Sequence, residues 1–510
     1  MNPVGMTRRQ VIGAATIASA AAIAGLGQMS PPVRAATRAA VHGPSPLQGL
    51  RAGLRGRLLE PGDRGYRSLS TPSNGRFGNI RPQAVAVVAG AEDVAHCVRW
   101  CREHDVPFVV RGGGHNYAGY STTTGLVIST ASLTGLGYQA PTGRLRAGSG
   151  ILNRELYSLL PQQGQGRWVL PLGTCPGVGI AGLVLGGGIG PSAPWAGLAV
   201  DALRSTTLVN AEGEIVKASE AREPELFWAI RGAGGGNFGI HTDFTFQMVP
   251  VPTPMVTTFI VRSVGRDSCT AALVAFQRLR IAHPRTVTGI ATTEVDPSGA
   301  IAGEVRGQVI GDEALARDLL APLLGVAGLD VVITERPWWE AFAGWLAQVP
   351  APGSWWVRSR YAYDAIPDDA LGRQVDHLAA FPGPTTQRKA SFLLMGEVGG
   401  AVDDVARTDS AYVHRGASAI ARYNVNWPMP GASTCGPGRI PSDIREWVDV
   451  GWDELSGVTA AESYQNFPDR ALTDWADAYY RENLPRLIAA KRRYDPDNVF
   501  TYGQSVPLRE

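Results

Sequence analysis

Two side chains of this chain are nucleophiles set among glycines. His115 lies in Arg111-Gly-Gly-Gly-His-Asn116, and Cys175 lies in Gly173-Thr-Cys-Pro-Gly-Val-Gly179. Imidazole and thiolate are the side-chain nucleophiles best suited to attack an electron-poor ring. Each stands at the end of a strand pattern, so together they can grip one flat cofactor from two sides. Taken alone, either would read as an ordinary loop residue. The N–H groups of Gly112, Gly113 and Gly114 can point the same way and form a nest for phosphate oxygens, with Arg111 there to help neutralise the charge. Further on, Gly179, Gly182, the run Gly186-Gly-Gly-Ile-Gly190 and Gly236-Asn-Phe-Gly-Ile240 read as backbone passing close to the same group, although some of these glycines serve tight turns alone. No metal site is expected.

Short elements must position these loops. Ala84–Val88 reads as a strand and Glu92–His104 as a helix. Phe108–Val110 is a strand running directly into the Arg111–Asn116 loop. Strands are expected at Leu126–Ser129, Arg144–Ala147 and Ser205–Val209. Asn210-Ala-Glu-Gly213 is a hairpin turn leading into a strand at Ile215–Lys217. Glu225–Ala229 is a short helix. Beyond residue 250 the texture changes. Strands at Val256–Val261 and Ile301–Val309 and a helix at Asp312–Leu324 suggest a sheet with covering helices. A long helix, Leu472–Arg493, closes the chain.

Size and composition bound the answer. At 510 residues the chain needs two or three domains. A net charge of +2, with no basic cluster, gives no footprint for nucleic acid or an anionic membrane surface. Thr7-Arg-Arg-Gln-Val-Ile12 precedes a small, weakly apolar stretch, Gly13–Gly27, and a small-residue site near Ala35. This arrangement over residues 1–35 is that of a twin-arginine export signal, which makes the export machinery a partner and the protein secreted. A membrane anchor is the competing reading. No later segment has the roughly 20 apolar residues of a span. Of five cysteines, Cys97 and Cys101 share one helix face, where a disulfide would strain the helix, so they read as small buried residues.

Five blocks carry a specific resemblance: Arg111–Asn116, Gly173–Gly190, Gly234–Ile240, Tyr464–Asn466 and Tyr494-Asp-Pro-Asp-Asn-Val-Phe500. In this order they resemble the berberine-bridge-enzyme-like flavoproteins of the vanillyl-alcohol-oxidase/PCMH superfamily. The resemblance implies an α+β fold: a two-part PCMH-type FAD-binding domain over 45–250 and a substrate domain over 251–455, with an antiparallel sheet covered by helices. A C-terminal segment, 456–510, returns to the FAD domain. It further implies FAD attached twice, through His115 to the flavin 8α-methyl and through Cys175 to carbon 6. The cofactor set it implies is Arg111, Gly112, Gly113, Gly114, His115, Asn116, Gly119, Gly173, Thr174, Cys175, Val178, Gly179, Gly182, Gly187, Gly188, Gly239, Ile240, Tyr464 and Asn466. A small aliphatic residue at Val178 accompanies oxidase behaviour in the family, so dioxygen is the expected electron acceptor. Two bonds to the ring should also raise its reduction potential.

The substrate side departs from the family pattern. The usual Tyr-x-Asn-Tyr motif is Tyr464-Gln-Asn-Phe467 here, which replaces a phenol by a phenyl ring. A family Glu or Gln base follows a Pro/Val-His-Arg block, yet no carboxylate lies between Arg415 and Trp427. The remaining candidates are Tyr464, Tyr423 and Arg422, then Asn424 and the Arg358/Arg360/Tyr361 strand. Trp355, Trp356 and Trp427 offer an aromatic wall, or ordinary core. The expected activity is a secreted FAD-dependent oxidase of a small organic substrate that yields hydrogen peroxide. The missing bases favour a specialised metabolite or a hydroquinone-like compound, which gives up electrons easily. The alternatives are a carbohydrate or alcohol oxidase, an oxidative cyclase, and a drug-binding resistance protein with little turnover.

Overall fold

The structure, a computed structural model, describes residues 46–164, 166–345, 353–428 and 438–509. The export signal assigned to residues 1–35 lies outside them, as does Cys435.

Strands rich in β-branched residues build the sheet that carries the histidine loop. The strand order is Arg57–Leu59, Ala84–Val87, Leu126–Ser129, Phe108–Arg111. The last three run parallel. Ala84–Val87 and Leu126–Ser129 are buried throughout, as the central strands of a sheet covered on both faces must be. The helix Ala91–Glu103 packs one face through Val94, Val98 and Trp100. Leu59 and Tyr66 cover Val85, Val87 and Val127 on the other. Cys97 and Cys101 are buried free thiols in this helix.

A second sheet is antiparallel. Its order is Leu136–Gln139, Arg144–Gly148, Ile240–Gln247, Leu203–Val209, Ile215–Ser219. Its hairpin turns at Asn210–Gly213, where Gly213 takes φ of 76° and Asn210 Oδ1 accepts the Glu214 N–H at 2.7 Å.

The third sheet has seven strands, ordered Asp330–Pro337, Met255–Val264, Ile301–Val309, Val287–Val295, Lys389–Met395, Ala419–Trp427, Ser354–Ala362. All six pairings are antiparallel. One face packs through Phe259, Ala291, Phe392 and Tyr423 against Phe276, Leu371 and Trp447 of the helices Arg266–Ala282, Asp368–Ala379 and Ser442–Ser456. The opposite face presents Tyr361, Leu393, Met395 and Ile420 to Ile189, Val200, Tyr412 and Tyr464. Successive residues of a strand face opposite sides, so this sheet sorts its residues between a helix layer and a cavity.

The expected helix over 472–493 is two helices, Trp475–Tyr480 and Leu484–Tyr494, joined by a single 3-10 turn at Arg481–Asn483. Arg481 adopts φ of 43°, outside the helical region, and Pro485 sits at the start of the second helix, where it needs no N–H partner. The second helix is fastened to the rest of the fold by an exposed Arg486–Glu225 ion pair at 2.7 Å and by a buried ion pair at its own end. Lys491 and Asp495 are both fully buried and 2.7 Å apart. Lys491 Nζ also donates to the carbonyls of Asn237 and Phe500, and Asp495 accepts the N–H groups of Val499 and Phe500. Lys491→Ala leaves a buried carboxylate without its cation and should lower stability by about 3–5 kcal/mol, read as a shift in the denaturant midpoint.

Candidate functional site

The histidine and cysteine loops meet because their backbones pass at contact distance. A Cβ added to Gly113 would lie 2.4 Å from the Gly179 nitrogen, and one added to Gly179 would lie 2.4 Å from the Gly113 nitrogen. Only two glycines can cross there. The crossing puts both loops on one cavity, lined by Gly112–Tyr117 from the first loop and by Gly173, Thr174, Cys175, Val178 and Gly179 from the second. Gly182 lines it too, and no atom lies within 4 Å of where its Cβ would stand.

His115 and Cys175 converge on Tyr117. The His115 and Tyr117 rings are 5.7 Å apart, and Trp355 lies 6.0 Å from His115. Cys175 is within electrostatic reach of Tyr117, Arg422 and Glu397. Burial lowers the pKa of His115 and keeps the ring neutral, and burial raises that of the Cys175 thiol while Arg422 opposes it. Asn153, absent from the sequence-based set, positions the cysteine loop. Its amide donates to the carbonyls of Gly173 at 3.1 Å and Cys175 at 3.0 Å, and its Oδ1 is buried without a partner on the cavity wall. Asn116 Oδ1 accepts the N–H groups of Ala118 and Tyr120 at 3.0 Å each and so closes the histidine loop.

Several expected cofactor residues stand elsewhere. The Arg111 side chain does not line the cavity. Its guanidinium donates to the carbonyls of Ser121 and Leu69 and braces the loop from behind. Gly187 and Gly188 also lie off the cavity lining. Their φ values of 114° and 80° and their contacts with Tyr412 and Ala199 explain why they are glycines. Gly119 packs on Phe77 at φ of 74°, and Ile240 is a fully buried strand residue. Gly239, Tyr464 and Asn466 do line the cavity.

On the substrate side the sheet separates two candidates. Arg422 faces the cavity, 4.7 Å above the Phe467 ring. Tyr423, one residue on, points into the helix layer and donates to Gln374 Oε1, so Tyr423 cannot reach a bound molecule. Tyr464 is held by three donors: its phenolic oxygen accepts from Gly188 N–H at 3.2 Å, Ile189 N–H at 3.4 Å and Asn466 Nδ2 at 3.1 Å. Burial nevertheless raises its pKa to about 12 against these donors, so the phenol stays protonated at neutral pH. Phe467 lies parallel to Tyr117 at 5.5 Å.

Sequence reasoning also missed Glu397. It follows the strand Lys389–Met395, lines the cavity, is 2% exposed, and has an Oε1 with no hydrogen-bond partner. Burial raises its carboxyl to about 7, with Arg422 and Arg280 opposing. A signal was present: an acidic residue directly after an apolar strand, in Met395-Gly-Glu-Val-Gly399. Among the described residues no His, Cys, Asp and Glu cluster suited to a metal is found.

This cavity and these sheets define a flavin-binding oxidoreductase of the PCMH-type α+β class. The FAD binding domain model matches residues 82–219, and the model for berberine and berberine-like proteins matches residues 463–507. An uncharacterised FAD-linked oxidoreductase of Bacillus subtilis, YgaK, is 30% identical over 89% of this chain and 97% of its own length. A chitooligosaccharide oxidase of Gibberella zeae is 28% identical over 86% of this chain and 91% of its own. Among solved structures, BBE-like 1 of Physcomitrella patens superposes with a TM-score of 0.80 at 25% identity, covering 92% of this chain and all of that one. The chain belongs to the berberine-bridge-like FAD-linked oxidoreductases.

The residues present fit FAD. The glycine loop offers backbone donors, the Asn153 Oδ1 is an orphaned buried acceptor on the wall, and the space beside Gly182 is open. Gly182→Leu, on a short helix that tolerates the residue, should fold yet carry FAD at least about tenfold more weakly, ~1.4 kcal/mol. The ratio of visible to ultraviolet absorbance of the purified protein, compared with its unfolding temperature, checks this.

Proposed function

We propose that this protein is an exported FAD-dependent oxidase that removes hydride from a hydroxyl-bearing carbon of a small organic substrate, with Glu397 as the general base and dioxygen as the final acceptor. The observation that carries this reading is Glu397, a buried carboxylate with a free oxygen on the cavity wall, shifted to about 7. A base works best with a pKa near the operating pH. With Glu397 on the cavity wall, a substrate that gives up electrons without a base, such as a hydroquinone, is not required. An alcohol or hemiacetal carbon becomes the favoured site of oxidation. The chitooligosaccharide oxidase among the relatives agrees with this choice.

When bound, FAD supplies the ring that accepts the hydride. The protein's own residues do the rest. Glu397 takes the hydroxyl proton as the C–H bond breaks. Tyr464, fixed by Gly188, Ile189 and Asn466, remains a neutral phenol and presents its O–H as a donor, an orienting role in place of the base role expected for it. Tyr117 and Phe467 form an apolar wall that excludes water, with Trp355 against the His115 and Tyr117 rings. His115 and Cys175, brought onto one cavity, serve as the two tethers of the ring. Val178 lines the cavity near Cys175, and its small aliphatic side chain suits an oxidase that hands its electrons to dioxygen. The Thr7–Ile12 motif supports export of the folded protein through the twin-arginine pathway, and no described helix is long and apolar enough to cross a membrane.

Three outcomes are expected. Acid denaturation should leave the yellow colour on the chain, with the mass raised by one FAD, and His115→Ala with Cys175→Ala should release it. Colour released from the unsubstituted protein would disprove the tethers. Glu397→Gln should slow flavin reduction by roughly 10²–10⁴-fold while FAD content stays unchanged. The carboxylate is the active form, so kcat/KM should climb with pH through about 7 and level off above it. Glu397→Gln should abolish that limb. An unchanged profile in the variant would assign the base elsewhere.

A further inference from the structure

Arg422 is the one arginine or lysine among the residues that line the cavity. Its guanidinium makes no hydrogen bond or ion pair with any described residue, and its Nε is buried without an acceptor. The other deeply placed arginines also leave a guanidinium nitrogen without a hydrogen-bond acceptor, but each is held by at least two carbonyl or carboxylate partners. Arg415 is bidentate to Asp201 at 2.7 and 2.8 Å. Arg358 reaches Asp449 at 2.7 Å and Asp469 at 2.9 Å. Arg280 caps the carbonyls of Val287 and Val398, and Arg111 those of Leu69 and Ser121. A half-buried cation left open beside an apolar wall is costly unless something anionic completes it. Glu397 does not do so, since no oxygen of it lies within 4 Å of Arg422 and burial keeps it partly protonated near neutral pH.

The strand register fixes where this cation stands. Arg422 pairs with Leu393, so Arg422, Leu393 and Met395 share the cavity-facing side of the sheet, and Glu397 follows from the end of the same strand. The Phe467 ring, stacked on Tyr117, forms the floor under the guanidinium. A molecule lying on that floor meets a base at one point and an unneutralised guanidinium at another.

We propose that Arg422 is a specificity-determining residue and that the substrate is a hydroxylated carboxylic acid, its carboxylate held by Arg422 while Glu397 receives the proton of the hydroxyl being oxidised. This rests on the oxidase reading above and names the substrate class of that same site. In the step, the O–H bond breaks with its proton passing to Glu397, and the C–H bond breaks with its electron pair passing to bound FAD. The carbinol becomes a carbonyl and the carboxylate is unchanged. Guanidinium suits this task because its planar fork matches two carboxylate oxygens. Sugar acids and aromatic hydroxy acids share the chemistry.

The test uses the FAD-loaded enzyme and two matched pairs, D-glucuronate against D-glucose and mandelate against 1-phenylethane-1,2-diol, in which a carboxylate is replaced by a hydroxymethyl group. The acid of at least one pair should be preferred by about tenfold or more in kcat/KM, and the pair that shows it identifies the source. Arg422→Gln should erase the preference mainly through KM, and Arg422→Lys should restore part of it. Equal loss for acid and neutral partners would overturn the proposal and assign Arg422 to the flavin, as would preference for the neutral compounds. Binding of benzoate against benzyl alcohol, followed by calorimetry, needs no turnover. Benzoate binding that Arg422→Gln abolishes, without oxidation of any compound, would keep the anion site and sink the oxidase reading. Absence of binding by both benzoate and D-glucuronate would overturn the anion site itself.

Discussion

The crossing of Gly113 and Gly179 is the constraint on which the rest depends. Two backbone segments approach so closely that a single methyl group on either would collide with the other's nitrogen. Because they touch, a histidine from a strand-to-loop turn and a cysteine 60 positions further along open onto one cavity. The surrounding architecture serves this contact. A parallel strand delivers the histidine loop, Asn153 pins the cysteine loop through two carbonyls, and Asn116 closes the first turn with two Asx-type hydrogen bonds.

The seven-stranded sheet solves a different problem. Its pleat assigns Tyr423 to the helix layer and Arg422 to the cavity, although they are chain neighbours. A one-residue slip of that strand would exchange them and bury a guanidinium beside Trp447 and His377. The register therefore decides the chemistry of the site as much as the residue types do. The C-terminal segment holds the remaining wall. It brings Tyr464 under the Gly188 and Ile189 amides and is itself fixed by the Lys491–Asp495 pair to the loop at Asn237.

Electrostatically the cavity is sparse. One carboxylate, one guanidinium, one thiol, two histidines and six phenols are its titratable side chains, and burial is the leading cause of every pKa shift resolved there. In such surroundings each polar group carries more weight than it would in water, so a few side chains suffice to orient a substrate and move a proton.

The sequence by itself determined the fold class, the flavin family, the two glycine loops with their histidine and cysteine, and most strand positions. These are local signals: apolar runs of strand length, turn residues, and blocks whose spacing is preserved along the chain. The Asn210–Gly213 hairpin was legible because its residues fit only a tight turn. What the tertiary structure decided was direction and company. Arg111, Gly187 and Gly188 sit in the right segments, yet one turns its side chain to two carbonyls and the others make room for Tyr412 and Ala199. The long C-terminal helix breaks at Arg481 because that residue leaves the helical region, which periodicity did not show. Glu397 was hidden because it lies some 70 residues from the tyrosine motif and enters the site only when two sheet strands pair. Proximity between distant residues is a property of the folded backbone, and no local pattern of residue types encodes it.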